Sequence, residues 1–167
     1  MNDSDELLLI LNQLEDYYDT LINEEGMESK FEFLKIEVKC LDECLNLIDL
    51  LLLPLPMAYI EKARVTARKA LKEKGAKAYF EITSKERKNV LLQRTKDFSE
   101  ATTIENNLFY AFWFLFPPEI EPLDLNIEYY IGNLLKCEVE AKSIITIVCK
   151  YFDDIINIKV ANKQYTA

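Results

Sequence analysis

Residues that turn a chain sharply are scarce in this sequence, and this scarcity most restricts its possible folds. Only three glycines and five prolines occur among 167 residues, and no Asn-Gly or Asp-Gly pair is present. Hairpin-rich β proteins need such residues, because tight hairpin turns use backbone angles that glycine and asparagine adopt most readily. The scarcity therefore predicts long helices joined by few turns.

Apolar residues recur at helical spacing through most of the chain, as Leu7, Leu11 and Leu14 do near its start. Glycines and prolines interrupt this pattern and predict where helices end. The predicted helices span residues 3–25, 28–53, 57–81, 83–116 and 125–160, the last with a break near Lys150. We therefore predict one all-α domain over residues 1–167, a bundle of five to six helices with a frayed tail at 161–167.

The predicted fourth helix has a distinctive start and end. Thr83 and Glu86 match a capping box, in which a threonine and a glutamate three residues later cap a helix N-terminus. The other end, residues 108–116, is apolar on all sides and strongly aromatic. This pattern predicts burial, either in the core or in a subunit interface.

Charge near the start of the chain predicts a cytoplasmic protein. Asp3, Asp5 and Glu6 place negative charge where a secretory signal needs positive charge. The apolar run at residues 45–57 contains Asp49 and two prolines, and it is too short to span a bilayer. We therefore expect no membrane partner.

The available ligands and nucleophiles exclude several chemistries. The chain has no histidine, which removes Ser-His-Asp and Cys-His catalysis and histidine-ligated metals. Its cysteines, Cys40, Cys44, Cys137 and Cys149, lack the two-residue gap typical of zinc ligand pairs. We expect reduced, mostly buried thiols. An enzyme built from this chain would depend on groups such as carboxylates, with Mg²⁺ as the natural cation.

Positive charge is concentrated in one part of an otherwise acidic chain with a formal net charge of -9. Residues 60–96, the basic stretch, carry twelve Lys and Arg against four Glu, so the stretch is +8 and the remainder is -17. Such a polarised field suggests a polyanion or an acidic partner on one face. The candidate contacts are Lys62, Arg64, Arg68, Lys69, Lys72, Arg87, Lys88 and Arg94.

Two interpretations of the basic stretch remain open. Its charge density suits nucleic acid, because each neutralised phosphate releases counterions and adds affinity. Its only aromatic residues are Tyr79 and Phe80, so it lacks the interleaved stacking residues of a dedicated single-strand platform. The alternative is a helix face that pairs with acidic groups, either those of a protein partner or those of this chain.

Carboxylates follow the basic stretch directly. Asp97 and Glu100 are three residues apart, which would place both on one face of the predicted fourth helix. Antiparallel packing could bring Glu128, Glu138 or Glu140 opposite them. Facing carboxylates in a helical bundle can hold a divalent cation that activates water. A solvated acidic helix face is an alternative interpretation of these residues. A third interpretation is a protein that binds a metal through carboxylates for a purpose unrelated to nucleic acid.

Two short segments resemble the translin family, which includes translin and translin-associated factor X. The central helix of that family carries Leu-Gln, a short gap and an acid-aromatic-x-Glu-Ala segment. Leu92, Gln93 and residues 97–101 are similar here. A second family segment, acid-Tyr-Leu-x-Gly, resembles residues 128–132. The resemblance covers about residues 60–145.

This resemblance implies an all-α protein that assembles into large oligomers and binds single-stranded nucleic acid. The factor X branch looks like a Mg²⁺-dependent endoribonuclease, which would make Asp97 and Glu100 catalytic Mg²⁺ ligands, with Glu138 as a third. The acidic residue that the family has three positions after its glycine is Leu135 here, and the next falls at Val139. Nucleic-acid binding therefore carries over more completely than catalysis.

We predict a translin-like protein that binds single-stranded RNA or DNA through the basic stretch, as a homo-oligomer or with a protein partner. Any Mg²⁺-dependent endoribonuclease activity would rest on Asp97 and Glu100. The alternative prediction is a non-enzymatic helical subunit of a larger assembly, which docks through its charge-polarised surface.

Overall fold

The fold is taken from a computed structural model that describes residues 2–24, 26–118 and 127–166, without the side chains of 22–24, 26–29 and 157–166. Within these residues there are seven α-helices, two short 3-10 helices and no strand. The all-α prediction is confirmed, with more helices than the predicted five to six. The helices are α1 (Asp3–Glu24), α2 (Gly26–Cys44), α3 (Met57–Ala70), α4 (Ala76–Leu92), α5 (Thr103–Trp113), α6 (Ile127–Lys136) and α7 (Ala141–Thr166).

α1, α2 and α7 pack against one another. α7 lies against both of the other helices, and its Phe152 ring is 5.3 Å from the Phe33 ring of α2. Lys150 of α7 forms an ion pair with Glu43 of α2. Buried apolar residues repeat at helical spacing on α1, so its one apolar face meets both partners.

The other helices form two pairs that contact α2. α3 packs on α4, and the Tyr59 hydroxyl of α3 donates a hydrogen bond to Glu86 of α4 at 2.9 Å. α5 packs on α6, and the Tyr130 hydroxyl of α6 donates to the Leu41 carbonyl of α2. One cluster of buried apolar side chains has members from all seven helices.

The aromatic segment at residues 108–116 has two different faces. Phe109, Phe112 and Phe116 are fully buried, which confirms the prediction of a core element. Tyr110, Trp113 and Phe114 lie at the edge of the core and are half-buried. The segment therefore contributes to the core on one side and to the surface on the other.

The predicted third helix is two helices. α3 ends at Ala70, and α4 begins at Ala76, directly after Gly75. Glycine within a helix costs about 1 kcal/mol relative to alanine, so Gly75 was the available signal for this break. The basic stretch therefore folds into an antiparallel α3–α4 hairpin and a following loop, and its two helices do not meet at Thr83 as predicted.

The capping box predicted at Thr83 is wrong, and a second pair with the same spacing forms one. Thr83 is buried within α4, and its hydroxyl donates to the Pro117 carbonyl at 2.7 Å. At the start of α5, the Glu105 amide donates to the Thr102 hydroxyl at 3.1 Å, and the Thr102 amide donates to the Glu105 carboxylate at 2.9 Å. A threonine that faces the core inside a helix cannot cap it, and this decides between the two pairs.

The predicted fourth helix is interrupted by a loop at residues 93–102, which separates α4 from α5. The Thr95 amide donates to the Pro54 carbonyl at 2.9 Å. This bond to a distant segment replaces a bond within a helix, because each amide has one hydrogen to donate. Serine and threonine are frequent in the loop, and their side chains favour turns and caps over helix interiors.

α2 ends at Cys44 instead of residue 53. Two 3-10 turns follow it, Leu45–Leu47 and Leu50–Leu52. The Asp49 side chain accepts a hydrogen bond from the Leu51 amide at 3.0 Å, so Asp49 caps the second turn.

The predicted final helix breaks at a different place. A turn separates α6 from α7, and in it Glu138 has a positive φ of 65°. Hydrogen bonds from the Glu138 amide to Leu135 and from the Val139 amide to Leu134 close the end of α6, a Schellman arrangement that usually has glycine at the left-handed position. α7 has a kink at Phe152, close to the predicted break near Lys150.

The backbone of α7 is helical through Thr166, and the fraying of residues 161–167 stays a prediction. Residues 161–166 contain neither glycine nor proline, so nothing in their sequence stops a helix. Ala167 lies outside the described residues. None of the described helices combines the length and apolarity that crossing a membrane would require.

The cysteines agree with the expectation of reduced, mostly buried thiols. All four are free, with Cys40 and Cys44 buried and Cys137 and Cys149 half-buried. The hydrogen bond that Cys40 shares with Cys44, together with burial, raises the pKa of Cys40 well above its ordinary value. Such thiols are poor nucleophiles.

Candidate nucleic-acid interface

The first arginines of the basic stretch pair with an acid of their own chain. Arg64 donates from Nε to Asp42 Oδ1 at 2.9 Å and from Nη2 to Asn46 Oδ1 at 3.1 Å. Arg68 donates to the other carboxylate oxygen of Asp42 at 2.9 Å. The Arg64 side chain is only 11% exposed. These two predicted nucleic-acid contacts therefore belong to an ion-pair network between α2 and α3.

Exposed lysines lie elsewhere on the hairpin. At 3.6 residues per turn, Lys62 and Lys69 are about 140–160° around α3 from Arg64. Both are exposed. We use the name lysine surface for five of the seven exposed lysines of the hairpin, the four that were predicted as contacts together with Lys85. They are Lys62, Lys69, Lys72, Lys85 and Lys88.

The charge of the lysine surface is not neutralised by acidic groups of the described residues. None of its five lysines forms an ion pair with another described residue. Glu61 and Glu81 are also exposed on the hairpin, whereas Glu86 accepts a hydrogen bond from Tyr59. Positive groups outnumber these acids, so the hairpin surface is a cationic region on an acidic protein.

Arg87 is held at the junction of α4 with the end of the aromatic segment. Its guanidinium lies 3.7 Å from the centre of the Trp113 ring and donates to the Phe116 carbonyl at 2.9 Å. The Trp113 indole donates to the Arg87 carbonyl at 3.2 Å. Burial lowers the pKa of Arg87. No described carboxylate pairs with this guanidinium, so its charge is positioned without being neutralised.

Arg94 is placed in a similar way in the loop after α4. Its guanidinium lies 4.7 Å from the Phe98 ring centre and 4.4 Å from the Phe109 ring centre. It donates to the Asn106 side chain and to the Lys96 carbonyl, which are both neutral acceptors. Arg94 thus also lacks an acidic partner among the described residues.

Lys96 differs from these arginines because it has an acidic partner. Its ammonium group lies 2.7 Å from Glu105 Oε2. The hydrogen bond from Lys96 is the largest of several effects that lower the pKa of Glu105 to about 2. The pair fixes the loop at residues 93–102 to the first turn of α5.

Five aromatic side chains form a continuous row beside Arg87 and Arg94. Successive ring centres are 5.3, 5.9, 6.1 and 6.0 Å apart. The two end rings are the most exposed, Phe98 at 54% and Tyr129 at 63%, and the three between them are half-buried. This aromatic row consists of Phe98, Tyr110, Trp113, Phe114 and Tyr129.

The sequence did not predict the aromatic row, because its members lie outside the basic stretch. The two aromatic residues inside that stretch, Tyr79 and Phe80, are buried against Phe31 of α2. The i, i+3 spacing of Tyr110 and Trp113 was the only local signal that two rings share a helix face. Packing of α4 on the aromatic segment, at long sequence separation, brings the arginines to the rings.

Asp97 and Glu100 do not share a helix face, contrary to the prediction. Both lie in the loop at residues 93–102, where the Glu100 amide donates to the Asp97 carbonyl at 3.0 Å, and both side chains are exposed. Glu138 lines a small cleft at the turn between α6 and α7. In the part of the chain that the structure describes, no three acidic or cysteine side chains are grouped so that they could hold a metal ion. The predicted ligands therefore do not fit a Mg²⁺ site.

A different pair of carboxylates forms between α1 and α6. Burial, a hydrogen bond with Glu15 and repulsion from Glu15 and Asp19 raise the pKa of Glu128 to about 7. Two carboxyl groups that share a proton carry less negative charge than two separate carboxylates. This pair is a proton-dependent contact between helices.

Comparison with known proteins finds no match: no protein-family model, no curated protein and no solved structure is similar to this chain. The resemblance to the translin family over residues 60–145 is therefore untested and stays a hypothesis. The functional proposal depends on the geometry of the hairpin and the aromatic row.

Proposed function

We propose that this protein binds single-stranded nucleic acid, with RNA as the expected ligand, through the lysine surface and the two arginines beside the aromatic row. The observation that carries the proposal is a contrast in partners. Arg64 and Arg68 are ion-paired with Asp42, whereas the lysine surface, Arg87 and Arg94 have no acidic partner among the described residues. Unneutralised cations on one side of an acidic protein attract phosphate.

The proposal is for binding without cleavage. Cleavage by a metal ion needs carboxylates that converge on it, and Asp97 and Glu100 lie in an exposed turn away from any such group of described residues. The translin resemblance adds the expectation of a large closed oligomer. Light scattering tests this expectation separately, because a monomeric protein would contradict the expected oligomer without contradicting the proposed binding surface.

Fluorescence polarisation with a labelled single-stranded RNA tests the proposal. We expect binding at low salt that weakens steeply as salt is added, because bound phosphates release counterions. The triple variant Lys69→Glu, Lys72→Glu, Lys88→Glu should abolish binding. Arg64 is left intact, because its replacement would disturb the contact between α2 and α3.

A matched variant controls for net charge. Lys39, Lys136 and Lys142 are exposed lysines on other helices, and their replacement by glutamate changes the charge by the same amount. We expect this control to retain most of the affinity. Equal loss in both variants would show that overall charge, and not the lysine surface, governs binding. Absence of binding by the wild-type protein at low salt would refute the proposal.

A second candidate function is docking of a protein partner, as a non-enzymatic subunit of a larger assembly. The observation that favours it is a set of exposed apolar side chains, with Leu51 at 78%, Leu52 at 45% and Ile104 at 41% exposure. Leu52 and Ile104 also line the small cleft beside Glu138. Exposed apolar groups of this kind are typical of interaction surfaces. Substitution of Leu51 and Leu52 by serine should then disrupt a complex without changing RNA binding.

A further inference from the structure

We infer that the aromatic row is a base-stacking platform, so that the ligand is a polynucleotide whose unpaired bases contact these rings while its phosphates contact neighbouring cations. This inference rests on the proposed function and adds to it a second contact surface and a chemical class of ligand. It also supplies the stacking residues that the basic stretch lacks in its own sequence.

The exposure of the row is the first argument. Phe98 and Tyr129 stand at its two ends and are more than half exposed, although apolar rings are normally withdrawn from water. Between them, each ring centre lies within 6.1 Å of the next. The rings are therefore in contact along the row, with Phe114 and Tyr129 close to parallel at 19° and the other neighbouring pairs tilted by 47–67°. An exposed ring can stack on the flat face that every nucleobase presents, whatever the sequence.

The positions of the arginines are the second argument. Arg87 lies against Trp113, and Arg94 lies against Phe98. Each guanidinium is fixed by hydrogen bonds to neutral oxygens of the chain. A fixed planar guanidinium offers a surface for base stacking as well as a positive charge. Because both are already ordered, binding loses little further side-chain entropy.

The route for the phosphates is the third argument. Lys88 follows Arg87 in α4 and is exposed, and Lys85 is exposed one turn earlier. Two members of the lysine surface therefore lie within two residues of Arg87 on α4. A duplex could use the lysines alone, because its bases are stacked on each other and cannot reach the rings. This geometry favours a single strand over a duplex.

The single tryptophan of the chain gives a direct test, since Trp113 is in the middle of the row. The wild-type protein is titrated with three probes of equal length: a single-stranded RNA, its duplex, and an abasic sugar-phosphate chain. We expect the single strand to quench Trp113 fluorescence. The duplex and the abasic chain should bind through salt-sensitive contacts with little quenching.

Two single substitutions in the row extend the test. Phe98→Ala and Tyr129→Ala should each weaken single-stranded RNA binding by about tenfold, which is the usual size of a base–aromatic contact. Neither should change the affinity for the abasic chain. Leu92→Ala is the matched control, since this side chain is 81% exposed, apolar and outside the row. It should bind all probes as the wild type does. Circular dichroism checks that each variant is folded.

The possible failures are distinguishable. If the lysine triple variant loses RNA but Phe98→Ala, Tyr129→Ala and the fluorescence show no effect, the proposed function stands and the stacking platform is refuted. If the wild-type protein binds neither RNA nor the abasic chain, the proposed function itself fails. If the ring variants reduce self-association in light scattering and leave RNA affinity unchanged, the row is a protein interface and the inference is overturned.

Discussion

The two pairs of arginines in the basic stretch have opposite roles. Arg64 and Arg68 share the carboxylate of Asp42, and Arg64 is almost excluded from water. Arg87 and Arg94 lie against aromatic rings and donate to neutral oxygens. The first pair joins two helices through ion pairs with one carboxylate, whereas the second pair has no acidic partner among the described residues.

This difference shows that the density of positive charge in a sequence does not give the charge available to a ligand. All four arginines lie in the basic stretch, and the sequence alone does not distinguish one pair from the other. What separates them is whether a carboxylate from another helix comes within hydrogen-bond distance. Four predictions test this comparison, ordered by the size of the expected effect.

The largest effect is expected for Asp42→Ala. Arg64 would then carry a nearly buried charge without an acidic partner, and the free energy of unfolding should fall by about 2–3 kcal/mol, less than for a fully buried pair. Chemical denaturation measures this. Adding Arg64→Met should recover part of the loss, because it removes the unpaired charge. A value near that of Glu32→Gln, which breaks only the i, i+3 ion pair with Lys35 within α2, would contradict a special role for the Asp42 contacts.

Arg87→Ala should have a smaller effect on stability. It removes the hydrogen bond to the Phe116 carbonyl and the contact with the Trp113 ring, with an expected loss of about 1–2 kcal/mol. The fluorescence of Trp113 should change in the same variant, because the cation leaves its ring. Lys88→Ala, at the next and exposed position, should alter neither property, and a similar change there would contradict the contact.

Thr102→Ala tests the anchor of the loop that carries Arg94 and Phe98. Loss of the capping box should lower the free energy of unfolding by about 1 kcal/mol. Thr103→Ala, one residue later, changes no cap and should remain within about 0.5 kcal/mol of the wild type. Thermal or chemical denaturation of both variants separates the cap from a general effect of the substitution.

The smallest effects concern two half-buried carboxyl groups with opposite pKa shifts. Glu105, lowered from 4.5 to about 2, contributes stability that is present above pH 4.5 and is lost as pH falls towards 2. Glu128, raised from 4.5 to about 7, contributes stability that is present below pH 4.5 and is lost as pH rises towards 7. Melting temperatures of Glu105→Gln and Glu128→Gln should each depend less on pH within the corresponding window. An unchanged pH dependence would contradict the assigned partner.

Much of the fold could be predicted from local sequence. Helical periodicity predicted the all-α class, and the prolines after residue 53 predicted the end of a helix. Both signals act over a few residues, so the sequence shows them directly. The breaks at Gly75 and Thr102 also had local signals, a helix-interior glycine and a capping-box spacing. Thr83 shows the limit of such signals, since it has the same spacing and only its burial in the core rules it out.

Less of the candidate site could be predicted from the sequence. The net charge of the basic stretch follows from its composition and could be counted directly from the sequence. The pairing of Arg64 with Asp42 spans 22 positions, and the contact of Arg87 with Trp113 joins two helices across a loop. Asp97 and Glu100 were placed on a helix by spacing alone, whereas the bond from Thr95 to the Pro54 carbonyl holds that segment as a loop. Contacts of this kind depend on the tertiary fold.

The hydrogen bonds of Thr83 and Arg87 have a consequence for how the protein opens. They occupy the carbonyls of Pro117 and Phe116, which lie just after α5. If α4 moved away, these acceptors would lose the donors that α4 supplies, so α4 and the end of the aromatic segment should come apart as one cooperative unit. Their amides should then exchange with solvent at similar rates, and a ligand that spans both helices would slow them together.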